Sequence, residues 1–532
     1  MRNWNIKRKV VVNTKTYGRS VLYANITEKE LLNLPPEAQD KTIIEIMNIV
    51  AQLHEKNKFE CKYLKDYKKG IQDIYVDKQK LTRPDIDNKT VENWAFALID
   101  FKKCFLLGKP IQYTQVDDGS SKEISILNKY CKYEDKKTKD MDIYEDILTC
   151  GRGFRYTNTD EPEEDEAPFE LINPEVEYTE VVYSSGIKHE QLFAFIEVPM
   201  QKSEQVQLDS GEYEEVIKSY SEYTIYMRNR VFTVSNEIGS ITKKENTDKP
   251  LILGEHIITE YYTNRDRISL IEIGKDLFND INYLESLDKD DMEQFVNAIM
   301  VFTNAEVDEK DLSEIKELGA VSISSTEGRE AKVELLQQRL NATDTQTYYT
   351  RLLTSLHQIL GIPMATDNGS VTSGDTGKAK LTGQGYTMAG IRIDGDENMF
   401  DMCDRKCLKT ILAVCKNSSK SELKKLKLSE IESKFSRDTS DNLLVKTQGL
   451  LNLYSCDIPR EVANTVVNLF NDPHAVSKEQ EKLFGTQTAS NSANMGGKVE
   501  TKTEIDTTNP EDVTNQQNND ITKVEQVDVQ DN

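Results

Sequence analysis

Short β-branched and aromatic runs crowd residues 168–260: Phe169-Glu170-Leu171-Ile172, Val181-Val182-Tyr183, Leu192-Phe193-Ala194-Phe195-Ile196 and Tyr223-Thr224-Ile225-Tyr226. Turn residues such as Ser184-Ser185-Gly186 and Asp209-Ser210-Gly211 part them, so the block reads as strands of one or more sheets. Helical periodicity flanks this block on both sides. Strands and helices are therefore segregated along the chain, and the expected fold class is α+β.

Ahead of the block, Thr27-Glu28-Lys29-Glu30 resembles a capped helix start, followed by Ile43, Ile44, Ile46, Met47, Val50 and Leu53 at helical spacing. A second helix is predicted over Val91–Leu107, ending at Gly108-Lys109-Pro110. Behind the block, Leu277, Ile281, Leu284, Met292, Phe295, Ile299 and Phe302 predict one long helix, with Asp288, Asp290, Asp291 and Glu293 interleaved. Residues 319–324 and 331–336 read as two strands around a turn at Gly328. Helix returns over Thr345–Leu360, breaks at Gly361-Ile362-Pro363, and resumes to about Cys415 after a polar segment, Thr366–Gly377. Residues 420–484 read as helical with a lysine-rich beginning.

The chain has 532 residues, enough for three or four domains at roughly 150 residues each. Its 67 Lys+Arg against 91 Asp+Glu give a net charge of −24, which argues against a general basic surface that wraps nucleic acid. The acidic run 160–166 reads as a solvated loop. Beyond Gly485 the sequence holds nine acids, three lysines and no aromatic residue, too little apolar surface to offset ordering, so 485–532 is expected to be disordered. No apolar run approaches the ~20 residues of a membrane-spanning helix, and no membrane partner is expected. The basic start, residues 2–19, has only Val10-Val11-Val12 as an apolar block; it reads as a strand-like arm rather than a secretory signal, making contact with a neighbouring subunit or DNA.

Enzyme motifs fail on inspection. Ser373-Gly374-Asp375-Thr376-Gly377-Lys378-Ala379 suggests a phosphate loop, but Thr372 stands where the first glycine must be and Ala379 where a magnesium-binding hydroxyl must be. Gly383-Gln384-Gly385 lacks the third glycine of a dinucleotide fingerprint. The five histidines form no metalloprotease pattern, and no Gly-x-Ser-x-Gly elbow occurs. Cys403 and Cys407 lie four apart beside Asp401 and Asp404, without the further His or Cys that a metal site needs, and the eight cysteines are expected as reduced thiols. Neither a cofactor nor a metal is expected, and the chain is not expected to be an enzyme.

Several strings, in order, resemble the portal proteins of long-tailed (siphovirus-type) bacteriophages. They are Arg83-Pro84-Asp85-Ile86-Asp87-Asn88-Lys89 leading a helix that ends in Phe105-Leu106-Leu107-Gly108-Lys109-Pro110; Gly151-Arg152-Gly153 at the start of the β block; and Leu171-Ile172-Asn173-Pro174-Glu175 within it. Glu260-Tyr261-Tyr262-Thr263-Asn264 before the long helix and Asp291-Met292-Glu293-Gln294-Phe295 inside it continue the series. Ser373-Gly374 followed by Lys378 or Lys380 is similar to the family's entry to the helix after its channel loop, although Asp375-Thr376-Gly377 replaces the usual apolar spacing.

The resemblance implies a homo-oligomeric ring, usually dodecameric in that family, at one capsid vertex of the virion, assembled in the host cytoplasm. It implies a wing over 26–275 after an arm at 1–25, stem helices at 276–303 and 341–361, and a clip at 304–340. A channel loop at 362–377, a wing or channel helix at 378–417 and a crown at 418–484 would follow. Implied partners are the terminase large subunit, the major capsid and scaffolding proteins, head-completion or tail-adaptor proteins, and double-stranded DNA in transit. Thr366, Asp367, Asn368, Gly369, Ser370, Thr372 and Ser373 would face that DNA with short polar side chains. Lys378 and Lys380 would meet DNA or pair with acids of a neighbouring subunit. Asp290, Asp291 and Glu293 would line the stem channel or pair with a neighbour's lysines. An acidic adaptor that binds only proteins, or a metal-dependent DNA-processing enzyme, are the competing readings.

Overall fold

The computed structural model describes residues 11–12, 15–79, 84–116, 121–159, 166–207, 213–237, 239–296, 299–303, 332–336, 342–364, 386–437, 443–456, 458–467 and 469–470, with scattered residues up to 482. The chain divides into two units, 1–455 and 456–532. The second is described mainly by one helix, Arg460–Val467, whose Asn464 donates to Ser477 Oγ and Gln480 Oε1.

The first unit is α+β, as expected, and opens on a two-strand ladder of β1 (Val11–Val12) and β2 (Lys15–Thr16). Its main sheet joins β3 (Leu22–Ala24), β7 (Thr179–Ser184), β8 (Gln191–Gln207), β9 (Tyr213–Tyr226) and β10 (Arg230–Ser235), with β11 (Thr242–Lys243) and β12 (Lys249–Pro250) on β10. All neighbours are antiparallel except β3 on β7. One face packs on α2 (Pro36–Lys68): Ile43, Ile46, Met47 and Val50 meet Val182, Phe193, Phe195, Ile225 and Phe232 in one core. A short helix α1 (Glu28–Leu32) precedes α2 and begins at the expected cap, where Thr27 and Glu30 form a reciprocal capping box. A second sheet orders β13 (Ile258–Tyr261), β5 (Gly153–Thr159) and β6 (Phe169–Ile172).

The larger core gathers α4 (Trp94–Leu107), α5 (Ser121–Tyr133), α6 (Lys136–Cys150), α7 (Leu270–Val296), α8 (Ala342–Leu360) and α9 (Tyr386–Asn417). Four-residue α3 (Ile74–Asp77) lies along α7, and α10 (Leu443–Ser455) closes the unit.

The structure corrects four expectations. The long helix stops at Val296, and Ile299–Thr303 is instead a strand, β14, paired antiparallel with β15 (Lys332–Leu336). The unbroken apolar run Ile299-Met300-Val301-Phe302 suits a buried helix or a short strand, and a partner some thirty residues away decides. Residues 431–434, expected as helix, form β16 on β4 (Gln112–Gln115), with Ile431 and Tyr113 buried together. Helix α2 continues to Lys68, well past Leu53. Arg19, read as part of a basic arm, is buried and paired with Glu60 and Glu272. The strand at 319–324, acidic residues 160–165 and the tail 485–532 lie outside the described residues.

Candidate functional site

The helices α7 and α8 meet along a leucine-rich seam, where Leu277, Phe278, Ile281 and Leu284 face Tyr349, Leu352, Leu353 and Leu356. Gly274 lies tight against this seam: a Cβ there would be 2.9 Å from the Phe278 ring of its own helix and 3.1 Å from Leu356 Cδ1 of α8. The opposite face of α8 is polar. Thr343, Gln346, Thr347, Thr350, Arg351 and Thr354 border an open recess of about 900 Å³. The hydroxyls of Thr347, Thr350 and Thr354 donate to carbonyls one turn back, at 2.7, 2.8 and 2.7 Å, so they point no free donor outward. The result is a methyl- and oxygen-studded strip on which Arg351, its guanidinium over Tyr348, is the one charged residue among the described residues bordering the recess. Such a strip can lie against a polyanion or another chain without gripping either.

Helix α7 is held from its other side by the segment 72–93 through a ladder of polar clasps. Asn279 accepts from the Tyr67 hydroxyl and donates to Asp73, which also pairs with Lys275. Asn282 accepts from the amide of Glu92 and donates to Gln72; Ser286 Oγ accepts from the amide of Thr90. At the last rung, Asp290 accepts from Lys78 Nζ at 2.7 Å, from the Asn88 amide at 2.7 Å and from Asn88 Nδ2 at 3.0 Å. Glu293, one turn on, accepts from Asn88 Nδ2 at 2.7 Å.

This geometry re-places one predicted site residue. Asp290 is fully buried and bonded within its own chain, so it does not present a carboxylate to a channel. Burial pushes its carboxyl up, but the Lys78 ammonium and the Asn88 donors outweigh that and hold it below the ordinary aspartate range. Asp291 is half-buried and Glu293 exposed. Thr366, Asp367, Asn368, Gly369, Ser370, Thr372, Ser373, Lys378 and Lys380 lie outside the described residues. Reading the sequence missed Lys78, Asn282 and Ser286, since lone polar residues at helical spacing carry no signal until a partner segment is known. Asn88 belongs to the Arg83–Lys89 string, where nothing local marks it as a donor to Asp290.

Buried ion pairs hold the frame around these helices. Arg152 pairs bidentately with Glu180, which also lies 3.5 Å from His54 Nδ1; the other ring nitrogen meets Glu197 at 3.0 Å, and Lys58 meets Glu197 at 2.8 Å. Burial alone would lift Glu180, yet Arg152 and His54 hold its carboxyl down at about 2. A second cluster joins Lys136 to Asp140 and Asp404, with Arg155 on Asp140 and the Tyr113 and Tyr261 hydroxyls on Asp404. Gly151 and Gly153 bracket Arg152 for steric reasons: φ at Gly151 is 86°, and a Cβ there would be 1.9 Å from Arg267 O. Among the described residues no group of three or more His, Cys, Asp or Glu side chains could hold a metal ion, and no helix is long and apolar enough to cross a membrane. Cys403 and Cys407 are buried thiols in the core of α9.

One protein family, described as phage portal protein, SPP1 Gp6-like, matches residues 48–483. No curated protein matches the chain.

Proposed function

The chain belongs to the phage portal protein family, SPP1 Gp6-like, and from that premise we propose that it assembles into a closed ring, dodecameric in the expected form, through which double-stranded DNA enters and leaves the capsid. Portal proteins are structural components of the capsid vertex with packaging-related partners. In this reading the terminase large subunit docks during packaging, and head-completion or tail-adaptor proteins replace it. The match over 48–483 carries the proposal, because it spans the main sheet from β7 onward, the second sheet and the α7–α8 pair.

The stem is drawn from α7 and α8, with the clip starting at β14 rather than inside a continued helix. The wing is the body before α7 together with part of 378–417, and the crown is 418–484. Residues 366–373 with Lys378 and Lys380 form the channel loop and its neighbourhood, while Asp291 and Glu293 border the passage. The polar strip of α8 supports a conduit: the hydroxyls of Thr347, Thr350 and Thr354 are spent on backbone carbonyls and Arg351 is the single cation among its described residues, so it offers DNA few strong phosphate contacts, and many tight ones would stall a moving duplex. Electron microscopy and native mass measurement of the purified full chain test the proposal. A closed ring with a central hole is the expected image; a monomer or simple dimer under assembly conditions refutes it.

A further inference from the structure

Two short segments reverse the charge of this acidic chain. Residues 122–139 hold six lysines against three acids, and residues 416–427 hold five lysines against one. The fold brings them together. β16 pairs with β4, Leu423 and Leu426 anchor the second segment in the same core as Leu127 and Tyr130 of α5, and Lys122 meets Glu422 at 3.7 Å across the seam.

The charged groups lie outward. On α5, Lys122, Lys129 and Lys132 fall on one exposed stripe, and Lys137 stands in the first turn of α6. From the second segment Lys420, Lys424, Lys425 and Lys427 are all exposed, between the buried leucines. Lys129, Lys132 and Lys137 rim a recess of about 620 Å³ whose inner wall holds the buried Lys136–Asp140 pair. The N-terminus of α6 borders the same recess, adding the positive end of a fifteen-residue helix.

We propose that this lysine surface is a sequence-independent binding site for the phosphate backbone of duplex DNA, separate from the conduit helices. The cations are lysines rather than arginines, so they act as mobile point charges without the planar fork that fixes register. Protein interfaces are depleted of lysine and carry aromatic anchors at their centre. Here the large exposed apolar side chain bordering the patch is Tyr133, at its edge, and its hydroxyl donates to Glu166. A polyanion fits that composition better than a protein partner does. The choice of duplex DNA rests on the conduit reading of the assembled chain.

The test uses the full-length assembled protein and a short fluorescein-labelled duplex of arbitrary sequence, followed by anisotropy at a series of salt concentrations. Each lysine that neutralises a phosphate contributes about 0.9 to the slope of log affinity against log salt. K424Q/K425Q/K427Q and K129Q/K132Q/K137Q are each expected to lower that slope by up to about 2.7 and to weaken binding at low salt. The corresponding Lys→Arg variants retain slope and affinity, which separates charge loss from misfolding. K188Q, removing an exposed lysine elsewhere, leaves both unchanged. An unchanged slope in both triple Lys→Gln variants, or a wild-type protein that does not bind the duplex, overturns the proposal. So does loss of binding to a polyglutamate peptide with duplex binding intact, which would assign the surface to an acidic protein. Electron microscopy of the same sample keeps the two readings apart: a missing ring counts against the conduit, an intact ring with unaltered DNA binding counts against this site.

Discussion

Replacing Asp290 by alanine separates a buried structural clasp from a channel wall. The side chain is fully buried, and its removal leaves the Lys78 ammonium, itself 4% exposed, without its nearest counter-charge. Breaking a buried pair from one side costs about 3–5 kcal/mol. Lys78 keeps the Asn88 carbonyl at 2.7 Å and Asp87 at 3.3 Å, so the lower end, about 3 kcal/mol, is the expected loss. That is a factor of about 150 in the unfolding equilibrium. Trp94 is a local reporter, because its indole donates to Glu92, which also accepts from the Tyr349 hydroxyl of α8 and whose amide bonds Asn282 of α7. Urea unfolding followed by fluorescence in a W4F background, which leaves Trp94 as the emitting tryptophan, should show D290A displaced by that amount. The double replacement D290L/K78M, which removes both charges, should recover most of it.

The pH dependence has a definite sign. The folded carboxyl is depressed, so its contribution is present above the unfolded aspartate value of about 3.9 and disappears as pH falls through the lower folded value. D290A should therefore differ from wild type at pH 7 and converge with it in strong acid. Unfolding of D290A within about 0.5 kcal/mol of wild type at pH 7 would refute the clasp and return Asp290 to an exposed wall.

His54 gives the opposite sign. Burial lowers its pKa, but Glu180 and Glu197 outweigh burial and raise it, so its contribution is complete below about pH 6.5 and is lost as pH rises through the folded value. The midpoint of thermal unfolding should fall on the alkaline side in wild type and less so in H54Q, and a His54 proton resonance, assigned by its absence in H54Q, titrating below pH 6.5 would contradict this. E180Q leaves Arg152 buried without a full counter-charge and should cost about 3–5 kcal/mol, read as loss of soluble, cooperatively unfolding protein, with the double variant E180L/R152M less affected. G274V forces a side chain against Phe278 and Leu356, should destabilise by about 1–3 kcal/mol, and should reduce the yield of rings under electron microscopy. A wild-type yield and stability would show that the α7–α8 seam tolerates separation.

The net charge of −24 gains meaning from these placements. Many of its carboxylates are not surface decoration: Glu180, Glu260, Asp140, Asp404 and Asp290 are buried against Arg152, Arg267, Arg155, Lys136 and Lys78. The lysines of 122–139 and 416–427 are gathered on one face that the linear sequence divides by nearly three hundred residues.

Local sequence dictates the segregation of strands and helices, the capped helix start at Thr27, a helix ending at Leu107 before Gly108-Lys109-Pro110, and the family resemblance, because each is written in local periodicity or in a short ordered string. Those features depend on backbone preferences within a few residues, where propensity and pattern act directly. The register of β14 on β15, the pairing of residues 431–434 with 112–115, and the burial of Arg19 and Asp290 were decided only by the tertiary structure. In each of these the partner lies some thirty to more than three hundred residues away, and a short apolar run or a single charge is compatible with several local fates. A lone aspartate on an amphipathic helix has the same sequence signature whether it faces water or an ammonium. Only the opposing segment, brought in by folding, makes the choice, since desolvation is tolerated where a counter-charge and hydrogen-bond donors are already in place.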